Sequence, residues 1–188
     1  MPTTKNIISA QLFILALFFL QLEVRAQTFV PDDKESQVVF KIRNFGATVA
    51  GTFKGLKGNI HFDTTVVSNS KFDVTLDAKT VDTGIGMRDN HLRKKEYFGV
   101  DEFPRIRFLS TKVVSTKAGQ GLITGLLTIK NITKEIRFPF TYAVKSGRPE
   151  FHAEFRLNRR DFSVGGGSIS LSDEVTLILN VKTMAKLE

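Results

Sequence analysis

The 188-residue chain has no cysteine, no tryptophan and only three histidines. Without cysteine there is no disulfide, no thiolate nucleophile and no Cys-based metal site. An oxidising compartment is not excluded, because a chain of about 150 residues already hides about 70% of its unfolded surface without covalent staples. His61, His91 and His152 have no ligand spacing among them, so no metal site is expected. The G-x-S-x-G nucleophile elbow is missing. Gly84-x-Gly86 and Gly165-Gly166-Gly167 lack the strand-to-helix glycine spacing that cradles a pyrophosphate, and no cofactor is expected. Heptads, long repeats and low-complexity linkers are also absent, which leaves one domain.

What is present begins with a leader. Lys5 supplies a positive start, Ile7 to Leu22 is mostly apolar, and Val24-Arg25-Ala26 suits the −3 and −1 positions of a cleavage site. Residues 1–26 therefore read as a cleaved secretory signal peptide and residues 27–188 as the mature domain. The alternative is an uncleaved anchor, since the apolar run approaches the ~17–25 residues of a membrane span. Losing Lys5, Arg25 and Glu23 lowers the formal net charge from +8 to +7. The basic residues are spread out, densest at Arg93-Lys94-Lys95 and Arg159-Arg160. A solvated surface is the simplest reading of that charge, and contact with anionic lipid headgroups is the functional one. A secreted protein rarely meets nucleic acid, which is not an expected partner.

After residue 35 the chain alternates apolar and polar positions, as strands with one buried face do. Val38, Phe40 and Ile42 begin the series, with Asn44 in phase. Phe53 to Phe62, Phe72 to Ala78, Ile106 to Val113, Leu122 to Ile129, Ile136 to Val144, Phe151 to Leu157 and Val175 to Val181 continue it. That makes eight strands, each apolar on one side, which favours an antiparallel sheet closed as a barrel or stacked as a sandwich. Glycines inside the early strand pattern suggest bulges that let a sheet coil, which leans towards a barrel. Pro139 points to an edge or irregular position. Phe40, Phe53, Phe62, Phe108, Phe138, Phe140 and Phe155 all fall on faces read as buried. Such faces suit either a filled core or an oily lumen, because eight strands enclose room for side chains or one small ligand.

The alternation stops between Gly84 and Phe108. Asp89 and Arg93 stand four apart, as opposite charges on one helix face would. One to three helical turns are expected over Arg88 to Phe98, with Asp89 or Asn90 capping the start and Gly99 closing the end. Arg88, Asp89 and His91 form the densest group of reactive side-chain types. Three readings stay open: a structural cap, a polar rim for a ligand headgroup, or a base oriented by a carboxylate.

R-D-N-H-L-R, E-Y-F and E-F-P-R-I-R-F in this stretch resemble the signature of the YceI-like family of secreted bacterial proteins. Asp32 with Ser36, Gly51-Thr52-Phe53, Gly58 to Asp63, Gly125 to Ile129 with Ile132-Thr133-Lys134, and Asn158 to Phe162 resemble further family segments in the same order. The chain departs from many members in carrying Phe29 for Trp or Tyr, and Asn44 for a titratable His. The resemblance implies an all-β, extended, eight-stranded antiparallel lipocalin-like barrel with one short helix. It also implies a periplasmic or secreted, non-catalytic protein that holds a long-chain isoprenoid or similar amphiphilic lipid. Val38, Phe40, Ile42, Asn44, Phe53, Ile60, Phe62, Leu76, Phe108, Phe138, Phe140 and Phe155 would then line the lumen, with Arg88, Asp89 and His91 at its rim. The rival reading is a structural or stress-related envelope protein with a filled barrel and a protein partner. Pairing of edge strands into a homodimer is left open.

Overall fold

A computed structural model describes residues 27–186. The signal peptide assigned to residues 1–26 lies outside them. The strands are β1 (Gln27–Pro31), β2 (Gln37–Asn44), β3 (Ala47–Phe62), β4 (Lys71–Asp82), β5 (Arg105–Lys117), β6 (Gln120–Ile129), β7 (Ile132–Lys145), β8 (Arg148–Asn158), β9 (Leu171–Val181) and β10 (Thr183–Ala185). The helix α1 (Gly86–Arg93) lies between β4 and β5. All pairings are antiparallel, in the order β10-β1-β3-β2-β9-β8-β7-β6-β5-β4, and β3 pairs with β4 to close the ring. The expected eight strands correspond to β2 to β9, closed as the barrel rather than the sandwich.

The two extra strands are continuations. Both β1 and β2 pair with the same long β3, at Ile60–Phe62 and Ala47–Phe53 respectively. Likewise β10 pairs with β1 as β9 pairs with β2. Ten strands thus make eight staves, two of them broken. The breaks are fastened together: Ser36 N–H donates to the Asp32 carbonyl (2.9 Å), and Lys182 N–H donates to Ser36 Oγ (3.1 Å). Closure leaves little free strand edge among the described residues on which a second copy could pair. Among them, too, no helix is long and apolar enough to cross a membrane.

β3 coils through two register shifts against β4; Gly55, at φ +75°, lies within the second, and Gly58 follows it at φ +136°. Left-handed backbone of this kind is cheap only for glycine, and the bulges bend the strand as the sequence pattern predicted. Other glycines serve as seats for rings. A Cβ on Gly121 or Gly125 would lie 2.5 Å from Phe140 or Phe108 respectively. Pro139 falls where β7 pairs with β6 alone, since the β7–β8 pairing covers only Thr141–Lys145. Its missing N–H therefore breaks no bond to β8.

Because the strands alternate in direction, the β2–β3 turn, the α1 segment, the β6–β7 turn and the 159–170 loop share one end of the barrel. At the opposite end β3, β4, β7 and β8 deliver Phe62, Phe72, Phe140, Tyr142 and Phe151, whose ring centroids lie 4.9–6.4 Å apart. These rings plug that end.

Candidate ligand-binding site

Above the plug the barrel is hollow. A cavity of about 490 Å³ runs between the staves, within the roughly 300–1,000 Å³ of small-molecule sites. Val38, Phe40, Ile42, Asn44, Phe53, Ile60, Leu76, Phe108, Phe138, Phe140 and Phe155 line it, as do Leu56, Ile123, Ile136, Val175, Leu177 and Leu179. Its middle is set by rings held against one another: Phe138 stacks on Phe155 at 4.1 Å and leans on Phe108 at 5.5 Å. Phe62, expected in the lumen, does not border the cavity. Its side chain points inward as predicted, but Tyr142 and Phe151 meet its ring at 4.9 Å each and make it part of the plug.

Most of the polar lining gathers at the other end, where Asn44, Thr83, Arg88, His91, Tyr97, Arg159, Ser168 and Ser170 border the cavity, while Thr75 and His152 border it nearer the plug. The segment carrying four of these differs from expectation. α1 begins at Gly86 after an uncapped Ile85, so neither Asp89 nor Asn90 is its N-cap. Asp89, 6% exposed, reaches back to the end of β4 and accepts from Thr83 N–H (2.8 Å) and Thr83 Oγ1–H (2.5 Å). This satisfies a buried carboxylate with strong donors. The Thr83 hydroxyl bond holds the Asp89 carboxyl below its usual value, and Arg93 and Arg88 add to the effect. Arg88 Nε donates to Thr83 Oγ1 (2.7 Å) and its Nη2 to the Thr83 carbonyl (2.9 Å). Thr83 is thus the knot that ties the helix to the sheet.

Arg93 makes no ion pair with Asp89. It donates instead to the Lys79 and Val81 carbonyls of β4, both at 2.8 Å, and to Asn90 Oδ1. The helix stops at Arg93, and Gly99, at φ +57°, closes the next turn rather than the helix. Phe98 then drops edge-on onto Phe53 (5.3 Å), while Leu92 faces the same apolar cluster. Neither was named from sequence, because an eight-residue helix gives too few turns for its apolar face to show. Among the described residues no hydrogen bond joins the His91 ring to a carboxylate or hydroxyl. Its ring meets Tyr97 edge-on at 5.0 Å, and Asp89 is spent on Thr83, so no acid–base pair is assembled. No cluster of three His, Asp or Glu side chains occurs among the described residues either.

The far wall of this end is the 159–170 loop. Arg159 was read with Arg160 as solvated charge, yet it is 4% exposed. Its guanidinium donates to the Ser172 (2.9 Å) and Val164 (2.8 Å) carbonyls and pairs with Asp173 (2.9 Å). A buried charge is tolerable when saturated in this way. Gly165 N–H then donates to the Glu96 carbonyl (2.8 Å), which joins the loop to the α1 segment. Without side chains on the glycines, Tyr97 and Arg159 can close against the loop, since a Cβ on Gly165 would lie 2.8 Å from Tyr97 and 2.9 Å from Arg159.

A YceI-like domain profile matches residues 29–183. The Salmonella arizonae protein named YceI is 35% identical over 161 residues, covering 80% of this chain and 83% of that one. Among solved structures, Burkholderia cenocepacia BcnA superimposes with a TM-score of 0.78 at 23% identity, over 82% of this chain and 99% of BcnA. A domain from Saccharophagus degradans, described as polyisoprenoid binding and implicated in plant cell wall breakdown, gives 0.67 at 14% identity over 86% and 99%. At those identities the two structures speak for the fold alone.

Proposed function

The chain belongs to the YceI-like family, and from that premise we propose that it is a periplasmic or secreted carrier. Its ligand is a long-chain polyisoprenoid lipid of the prenyl quinone or prenyl phosphate type, bound non-covalently in the barrel lumen. The observation that carries this reading is the polarity gradient of the cavity: mostly apolar from the plug upward, interrupted there by Thr75 and His152, with its polar side chains concentrated beneath α1 and the loop. An amphiphile fits such a gradient in one orientation, with its tail against Phe40, Phe53, Leu76, Phe138 and Phe155. Its head then meets Asn44, Arg88 and His91, the groups that line the open end. Asp89 acts there indirectly, by holding Thr83 and through it Arg88.

Binding needs no strong polar contact. Each buried methylene contributes about 0.8 kcal/mol. About ten of them give about 8 kcal/mol before the cost of ordering the ligand. Family membership supports a binding role without catalysis, and the description of the Saccharophagus domain supports the isoprenoid class. The filled-barrel rival requires an occupied interior along the whole length, and the cavity speaks against it. Residues 1–26 act in this scheme as the cleaved export signal.

The test is native mass spectrometry of the mature protein from its own host, followed by solvent extraction and lipid mass analysis. A bound prenyl lipid is expected. A fatty acid or amide would keep the hollow barrel and remove the isoprenoid assignment. No ligand, together with no uptake of added prenyl quinone or prenyl phosphate, would overturn the carrier reading.

A further inference from the structure

Among the described residues, every large apolar side chain that is more than half exposed stands at the open end. Phe45 is 85% exposed, Met87 86%, Ile85 53%, and Ile169 fully so. They come from three connections far apart in sequence: the β2–β3 turn, the start of α1 and the glycine loop. The exposed aliphatic residues elsewhere, such as Val66, Val144 and Met184, are less than half exposed and scattered. Single exposed apolar residues are ordinary, whereas convergent ones around an opening mark a contact surface.

The turn that carries Phe45 makes the exposure harder to explain by folding. Phe45 and Gly46 both have positive φ, +50° and +78°. A two-residue hairpin turn of that kind favours Asn or Gly in its first position. A phenylalanine there costs backbone energy and gains no packing from its exposed ring.

Two of the three apolar tips also have an arginine beside them. Arg43 Nη2 donates to the Gly46 carbonyl (3.0 Å) below Phe45. Arg160 packs against the glycine loop, where a Cβ on Gly167 would lie 3.3 Å from its Nη1. Some nearby carboxylates are already engaged, Asp89 by Thr83 and Asp173 by Arg159 and Arg160, while Asp82 and Asp161 stay exposed. Apolar tips flanked by long cationic side chains match the layered chemistry of a lipid headgroup region.

We propose that the open end of the barrel docks on a phospholipid bilayer containing anionic lipid. Phe45, Met87 and Ile169 enter the headgroup–acyl boundary, and Arg43 and Arg160 meet the phosphates. This rests on the lipid-carrier reading for its purpose, because a prenyl chain could then pass between bilayer and lumen without crossing water. The docking itself needs no ligand in the cavity.

The experiment is flotation of the mature chain with vesicles of phosphatidylethanolamine and phosphatidylglycerol, and with vesicles of phosphatidylcholine alone. The wild type is expected to float with the anionic vesicles and to release in high salt. Met87→Ser/Ile169→Ser is expected to weaken that binding by about tenfold or more, and Phe45→Ser added to it further still. Uptake of a prenyl alcohol from detergent micelles, measured on the same preparations, should be unchanged in the double variant. A wild type that takes up prenyl alcohol yet never floats overturns the docking. Equal flotation of wild type and variants overturns it too. A dimer lost in the variants, with no flotation, gives the surface to a second copy and likewise overturns it. Flotation without prenyl uptake leaves the docking standing and removes the carrier reading.

Discussion

The two ends of the barrel follow one alternation pattern and reach opposite outcomes. On β3 the inward residues Ile60 and Phe62 are two apart, yet Ile60 borders the cavity and Phe62 is sealed in the plug. The difference lies in what faces them. Around Phe62 the adjacent β4 contributes Phe72, and β7 and β8 across the barrel contribute Tyr142 and Phe151, so ring meets ring at the distances of edge-on aromatic contacts. Higher up, rings pair along the walls, Phe138 with Phe155 and Phe108, and Phe53 with Phe40 and Phe98, and the space between these groups stays open. The ends differ in chemistry as well. Among the described residues the buried ionic side chains, Asp89 and Arg159, both stand at the open end, each saturated by partners from a loop or a strand end. One end is held by apolar packing, and the other by a polar frame around an opening.

The sharpest way to break this comparison is the same kind of truncation in both regions. Phe62→Ala removes a fully packed ring and should cost about 3–5 kcal/mol, read from urea unfolding. The remaining folded molecules should keep their ligand capacity. Gly121→Ala should cost about 1–3 kcal/mol, because Phe140 must leave its seat in a packed region. Leu76→Ala, on a half-buried residue of the hollow region, should cost about 2 kcal/mol or less, since little surrounds its tip to be left unpacked. It should instead alter the preferred ligand length in a prenyl-alcohol series. Equal destabilisation by Phe62→Ala and Leu76→Ala would mean that the lumen is packed in solution.

Except on β6, where the pattern read from Leu122 was one residue out of phase because Gly121, Ile123 and Gly125 are the buried positions, period-two alternation was enough to show which residues point inward, because a strand leaves no choice of face. That is why the strand set was legible, and why eleven of the twelve named inward residues border the cavity. It could not show where along the axis the interior fills, and so Phe62 was placed with the lumen. β1 and β10 were missed because five and three residues are too short to display a period. The site's frame was less legible still. Thr83, bonded to both Asp89 and Arg88, carries no signal of its own in the sequence, and Arg159 looks like any surface arginine until its four carbonyl and carboxylate partners are brought round it. Contacts between a loop and a strand end depend on tertiary placement, and no local pattern encodes them.

Acid should separate the two ends by the smallest margin of these tests, and by a distinct route. Asp89 is held below the ordinary aspartate value of 3.8, chiefly by the Thr83 hydroxyl. A carboxyl with a depressed folded-state pKa contributes its full stabilisation above the unfolded value and loses it as the pH falls through the folded one. Between pH 7 and the upper threes the α1 segment should therefore stay closed, and below that range protonation should weaken the Thr83 knot and free Arg88. Asp63 at the plugged end is depressed as well, mainly by accepting from Val66 N–H, but it sits at an exposed turn outside the ring cluster. Amide hydrogen-exchange protection should thus fall first at Thr83 and through α1, and later at Phe62 and Phe72. Asp89→Asn should show the same local loosening at pH 7 that the wild type shows in acid. Simultaneous loss of protection at both ends would mean that the polar frame and the aromatic plug unfold as one unit, and that the division between them is geometric rather than energetic.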